Sequence, residues 1–201
     1  MFISQSNFII EGVDRLGKGT LIDSIQQNMG HHTVIHYDKP KKLRYFDDTG
    51  GWTGPLSELS DLGRYQYLSF IHGFDLLMSS SHLIFDRFHL GETIYGPRYR
   101  GYSGDYVFDL EDRFVKSMDA WSKGYAKNVR MILLTTSDFS FIEDDGQSFD
   151  FNAKEAEQED FIAAFERSIL PVKVMVDVHN GKGGFKTPEQ IFEEATNENL
   201  C

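Results

Sequence analysis

The chain has 201 residues, 40% of them hydrophobic and 14% aromatic, enough for one core and too few for two ordinary domains. Twenty Lys and Arg against thirty-one Asp and Glu leave a formal net charge of -11. That excludes a protein that grips nucleic acid or an anionic membrane through a broad basic face, but not one that binds a small anion. The single cysteine, Cys201, excludes an intramolecular disulfide framework and a four-thiolate zinc site.

In chain order, the N-terminal Met-Phe-Ile-Ser-Gln-Ser lacks the basic start and apolar block of a secretory signal. No later apolar run approaches the roughly 20 residues that span a bilayer. The expectation is a soluble, cytoplasmic protein. Short apolar or β-branched runs at 7–11, 33–37, 82–86, 129–135 and 173–177 alternate with helical patterns at 18–28, 56–78, 105–125, 153–167 and 188–196. This alternation predicts an α/β fold with a mainly parallel sheet. Thr187-Pro188-Glu189 reads as an N-cap, a first-turn proline and an acid near the positive helix end. Residues 38–55, with three glycines, two prolines and Trp52, read as a long surface loop, and 136–152 as a second irregular segment. Between 143 and 160 there are eight acids and one base, Lys154.

The first strand runs into Glu11-Gly12-Val13-Asp14-Arg15-Leu16-Gly17-Lys18-Gly19-Thr20, a glycine-rich turn that opens a helix. Glycines at 12, 17 and 19 let backbone amides converge on phosphate oxygens, the helix directs its positive end there, and Lys18 can reach the outer phosphates. The segment therefore reads as a polyphosphate cradle made of Gly12, Arg15, Leu16, Gly17, Lys18, Gly19 and Thr20. The residue after Lys18 is Gly19, where such loops place a magnesium-binding hydroxyl; Thr20 follows one position later. A magnesium ion is expected with the nucleotide, with Thr20 the loop hydroxyl nearest to it, directly or through water. No dinucleotide-type Gly-x-Gly-x-x-Gly follows the strand, and no Gly-x-Ser-x-Gly elbow occurs. His31, His32 and His36 lack a His-Glu-x-x-His pattern and read as surface or turn residues rather than metal ligands.

These residues resemble a known family. Glu11-Gly-Val-Asp14-Arg15 through Lys18 resembles the phosphate loop of thymidylate kinases, and Gly-Lys-Gly-Thr resembles that of adenylate kinases. Asp86-Arg87-Phe88 is similar to the Asp-Arg-Tyr motif of thymidylate kinases, with Phe88 in place of Tyr. The stretch from Tyr95 to Gly101 resembles phage-encoded nucleoside and nucleotide kinases. The resemblance implies a P-loop NTPase-type three-layer fold with a parallel five-stranded sheet. It implies a single kinase domain over 1–201 with a lid-like loop near 136–152, commonly homodimeric. It also implies ATP-dependent phosphorylation of a deoxynucleoside monophosphate, with dTMP the leading acceptor. Arg15, Lys18 and Arg87 would be catalytic, Arg15 acting from the phosphate loop because 136–152 contains no Arg or Lys. Asp14 would accept from the acceptor's 3′-hydroxyl, Asp86 would lie near the metal and acceptor, and Arg87 with Arg64 would hold the acceptor phosphate. Either Tyr67 or Phe70 would stack on the base, although aromatics at helical spacing also read as core. The alternatives are a kinase of a deoxynucleoside or of a modified base or end in DNA, and a nucleotide-binding module without turnover.

Overall fold

The computed structural model describes residues 6–37, 56–121, 125–143 and 150–197. The loop expected at 38–55, the middle of the 136–152 segment, the stretch 122–124 and Cys201 lie outside them. Five strands, β1 (Asn7–Glu11), β2 (Thr33–His36), β3 (Leu83–Asp86), β4 (Val129–Thr135) and β5 (Val172–Asp177), form one sheet in the order β2-β3-β1-β4-β5. All four pairings are parallel. Helices α1 (Lys18–Met29), α2 (Leu56–Ser79), α3 (Leu90–Tyr95), α4 (Tyr106–Trp121), α5 (Lys154–Arg167) and α6 (Pro188–Thr196) complete a three-layer α/β fold. Of these helices, α1 packs against α6, α2 against α4, and α3 against α5.

The strands read as apolar runs because the sheet is covered on both faces: every residue of β1 and β4 is buried. At the edge, β5 alternates, with Val174 and Val176 buried and Met175 42% exposed. Helix α6 starts as its sequence predicts. The Thr187 hydroxyl accepts from the Gln190 amide at 3.3 Å, and the Gln190 side chain accepts from the Thr187 amide at 2.9 Å, a reciprocal cap.

The helix expected over 105–125 ends at Trp121, and Tyr125–Asn128 forms a separate 3₁₀ turn. Helix α3 was not expected. Its six residues are too few to show a period, and they pass directly into a π-helical turn, Gly96–Arg100. There Pro97 has no N–H with which to continue the α3 ladder.

Parallel pairing brings the C-terminal ends of all five strands to one edge, where open α/β sheets present ligand-contacting groups. The register makes this concrete: Ile10 on β1 and His36 on β2 both pair with Asp86 on β3.

Candidate active site

The loop after β1 is anchored from below by Val13 and Leu16, both fully buried. The Leu16 side chain is thus a core group, and only its backbone can face a ligand. Gly12 has φ +132°, and a Cβ there would meet the Leu134 carbonyl oxygen at 2.5 Å, so the close approach of loop to β4 demands glycine. Arg15 (φ +77°) and Gly17 (φ +81°) turn the chain back toward α1. Gly17 is the N-cap of α1 without a side-chain cap, and no acid sits in the first turn. The opening amides of Lys18, Gly19 and Thr20 are therefore directed at the loop's concavity with the positive helix end behind them.

Lys18 folds back over the loop, its Nζ donating to the carbonyls of Gly12 at 2.8 Å and Val13 at 2.7 Å. Burial, reinforced by the charge of Arg87, pulls its ammonium down to about 8, although Asp14, Asp86 and Glu11 act against that shift. Asp14 lies 3.9 Å from Lys18 and accepts from Arg87 Nη2 at 2.5 Å. Burial alone would raise the Asp14 carboxyl, but Lys18, Arg87 and Lys154 together hold it below its ordinary value. The glycine-rich loop and the Asp-Arg pair, 73 positions apart, thus meet in one cluster.

Arg87 sits on a strained turn with φ +62°. Its amide donates to Ile10 O at 2.9 Å, while Glu11 Oε1 accepts from the amides of Phe88 at 3.1 Å and Leu90 at 3.0 Å. Glu11 is fully buried, and burial raises its carboxyl despite the opposing effects of His89, those two amides and Lys18. It is the residue that fixes the turn presenting Arg87, a role that no local pattern around Glu11 signals.

Asp86 accepts from His36 Nδ1 at 2.9 Å through Oδ2, while its Oδ1 is buried with no hydrogen-bond partner among the described residues. Thr20 is exposed in the first turn of α1. An orphaned anionic oxygen near Lys18 fits a cation held largely by phosphate oxygens and water. It does not fit a metal caged by protein alone, and no group of three His, Cys, Asp or Glu side chains suited to that occurs among the described residues. His32 is a core residue, 1% exposed, with Nδ1 against Gly30 O at 3.0 Å and its ring on Phe8.

Of the two aromatics considered for base stacking, Phe70 is 3% exposed and enclosed by Tyr37, Phe88 and Tyr106. It is a core ring. Tyr67 is half-buried and edge-on to Tyr106. Arg64 is exposed on α2 and makes no hydrogen bond or ion pair with the Asp14–Arg87 cluster among the described residues.

Two groups that sequence reasoning missed face the cluster. Burial and the charges of Asp14 and Glu157 push the Tyr95 phenol well above its ordinary value, with Arg87 opposing. Lys154, 3% exposed, donates from Nζ to Asp14 O at 3.3 Å. Its one sequence signal was its isolation among eight acids.

No protein-family profile matches this sequence, and no curated protein matches it. Among solved structures, the chain is similar in fold to the YorR protein of Bacillus subtilis, crystallised in complex with phosphorylated GDP. The two share 16% identity and superpose with a TM-score of 0.56 over 97% of this chain and 94% of that one.

Proposed function

We propose that the chain is a P-loop nucleotide kinase that transfers the γ-phosphoryl of ATP to a deoxynucleoside monophosphate, with dTMP the leading acceptor. The observation that carries this reading is the meeting of Lys18, Asp14 and Arg87 where β1 and β3 end, a phosphate cradle facing an arginine fork. The nucleotide in the YorR complex supports a nucleotide ligand here.

In this reading, the amides from Gly12 to Thr20 bind the β- and γ-phosphates, and Lys18 exchanges the carbonyls of Gly12 and Val13 for phosphate oxygens. Arg15 neutralises charge on the group in transit, which is the main work of a phosphoryl-transfer site. Arg87 holds the acceptor phosphate, assisted by Arg64 from α2. Asp14 orients Arg87 and accepts from the sugar hydroxyl, and Tyr67 covers the base. Magnesium bound with ATP would supply further neutralisation of the phosphate oxygens, with the free oxygen of Asp86 and the Thr20 hydroxyl as the protein groups that would hold it, through water where they do not reach.

ADP release measured with dTMP, dGMP, thymidine and a DNA oligonucleotide tests the proposal. Turnover with a monophosphate, lost on chelation of magnesium and in a folded Lys18→Ala variant, is the expected result. Turnover confined to thymidine or the oligonucleotide would replace the acceptor, and ATP binding with no ADP release on any acceptor would leave a binding module.

A further inference from the structure

The kinase reading places Arg15 on the transferring group, yet Arg15 is exposed and holds an unfavourable left-handed conformation, φ +77°. A guanidinium on such a loop needs its backbone held. The peptide that precedes it is held from an unexpected side. Lys154, in the first turn of α5, sends its Nζ to the carbonyl oxygen of Asp14, the oxygen of the Asp14–Arg15 peptide, at 3.3 Å across 140 positions of sequence.

This lysine is in a costly place. It is 3% exposed and lies at the positive end of its own helix, where a cation is disfavoured. Its acidic neighbours compensate. Glu157, one turn along α5 and 4% exposed, interacts with the Lys154 charge, as does Asp14. Glu157 is itself oriented by the Tyr99 hydroxyl, which donates to Oε1 at 2.5 Å from the π-helical turn after α3. Two hydrogen bonds, Tyr99 to Glu157 and Lys154 to Asp14 O, are thus linked by the attraction between the Glu157 and Lys154 charges, and the second reaches the peptide that precedes Arg15.

We infer that Lys154 is a positioning residue for Arg15: its ammonium holds the Asp14–Arg15 peptide, and so couples the helix at the root of the 136–152 segment to the phosphate loop. The inference rests on the kinase reading. The 136–152 segment has no cation of its own, and Lys154, two residues beyond it, acts through the loop arginine instead of replacing it.

The test compares wild type with Lys154→Met, Lys154→Arg, Arg15→Ala and the Arg15→Ala/Lys154→Met double variant. Lys154→Met should lower kcat by about 10- to 100-fold, the scale of a misplaced catalytic group, with KM for ATP held within about threefold. Lys154→Arg should restore most of the rate. In the Arg15→Ala background the same change should cost less than about twofold, because the group it positions is gone. An equal loss in that background, or a loss confined to KM, overturns the inference. A second readout needs no turnover: in ¹⁵N-labelled protein the Arg15 amide resonance should move in Lys154→Met and return in Lys154→Arg. An unmoved resonance overturns the inference whatever the activity. Wild-type inactivity on every acceptor with a moved resonance instead refutes the kinase reading, and the catalytic purpose of the contact with it.

Discussion

Among the residues, Lys18 carries the clearest pH signature. Its ammonium titrates near 8 because burial and Arg87 disfavour the charge, and a polyphosphate binds the charged form. ATP affinity should therefore hold below about pH 8 and weaken above it, by up to about tenfold per pH unit as the protonated fraction falls. Lys18→Arg, which stays charged, should flatten that slope. Calorimetric titration of ATP between pH 6.5 and 9.5, values chosen to span the transition at roughly one and a half units either side, checks it; a wild-type affinity unchanged across the range would refute the role. Arg15→Ala should lower kcat by about a thousandfold while changing ATP affinity little, as expected for an arginine acting on the transition state. Equal losses in affinity and none in kcat would make it a binding residue.

The elements succeed or fail on their ends. Helix α6 is held by the Thr187–Gln190 box, so Thr187→Ala should cost about 1 kcal/mol and lower the melting temperature by about 2–4 °C in a chain of this size. An unchanged melting curve would show that packing against α1 and β5 holds this helix without the cap. The cap was legible because Thr-Pro at a helix start is a local signal. Helix α3 was illegible for the complementary reason. It is specified by Glu11 accepting from the amides of Phe88 and Leu90 at its entry, contacts that no window of neighbouring residues contains. The same long-range fixation explains how Arg87 can occupy φ +62°.

For the whole molecule, a second buried cluster ties the turn after β3 to α4 and to the segment between α5 and β5. His89 Nε2 lies 2.6 Å from Glu111 Oε2 on α4, and the carboxylate also accepts from Ser168 Oγ at 2.9 Å and the Ile169 amide at 2.6 Å. Burial raises Glu111, but His89 and these donors bring it below its ordinary 4.5. A carboxyl lowered in the fold contributes stability that is full above 4.5 and lost as pH falls through the lower folded value. Glu111→Ala should cost about 3–5 kcal/mol at neutral pH, seen as a lower melting temperature. Glu111→Gln should show a shallower loss of stability on acidification than wild type; parallel pH profiles would exclude this carboxylate as an acid-sensitive link. At this scale the net charge of -11 also acquires a place. Much of it lies in 143–160, while Lys18, Arg87 and Lys154 gather about Asp14. The sequence by itself determined the strand–helix alternation, the parallel sheet and the glycine-rich turn that opens α1, because apolar periodicity and glycine spacing act over a few residues. Only the tertiary structure decided that Phe70 is core, that Glu11 shapes the Arg87 turn, and that Lys154 reaches Asp14. Those outcomes depend on strands and helices far apart in the chain arriving at one sheet edge, where burial and charge are set by neighbours that no local pattern names.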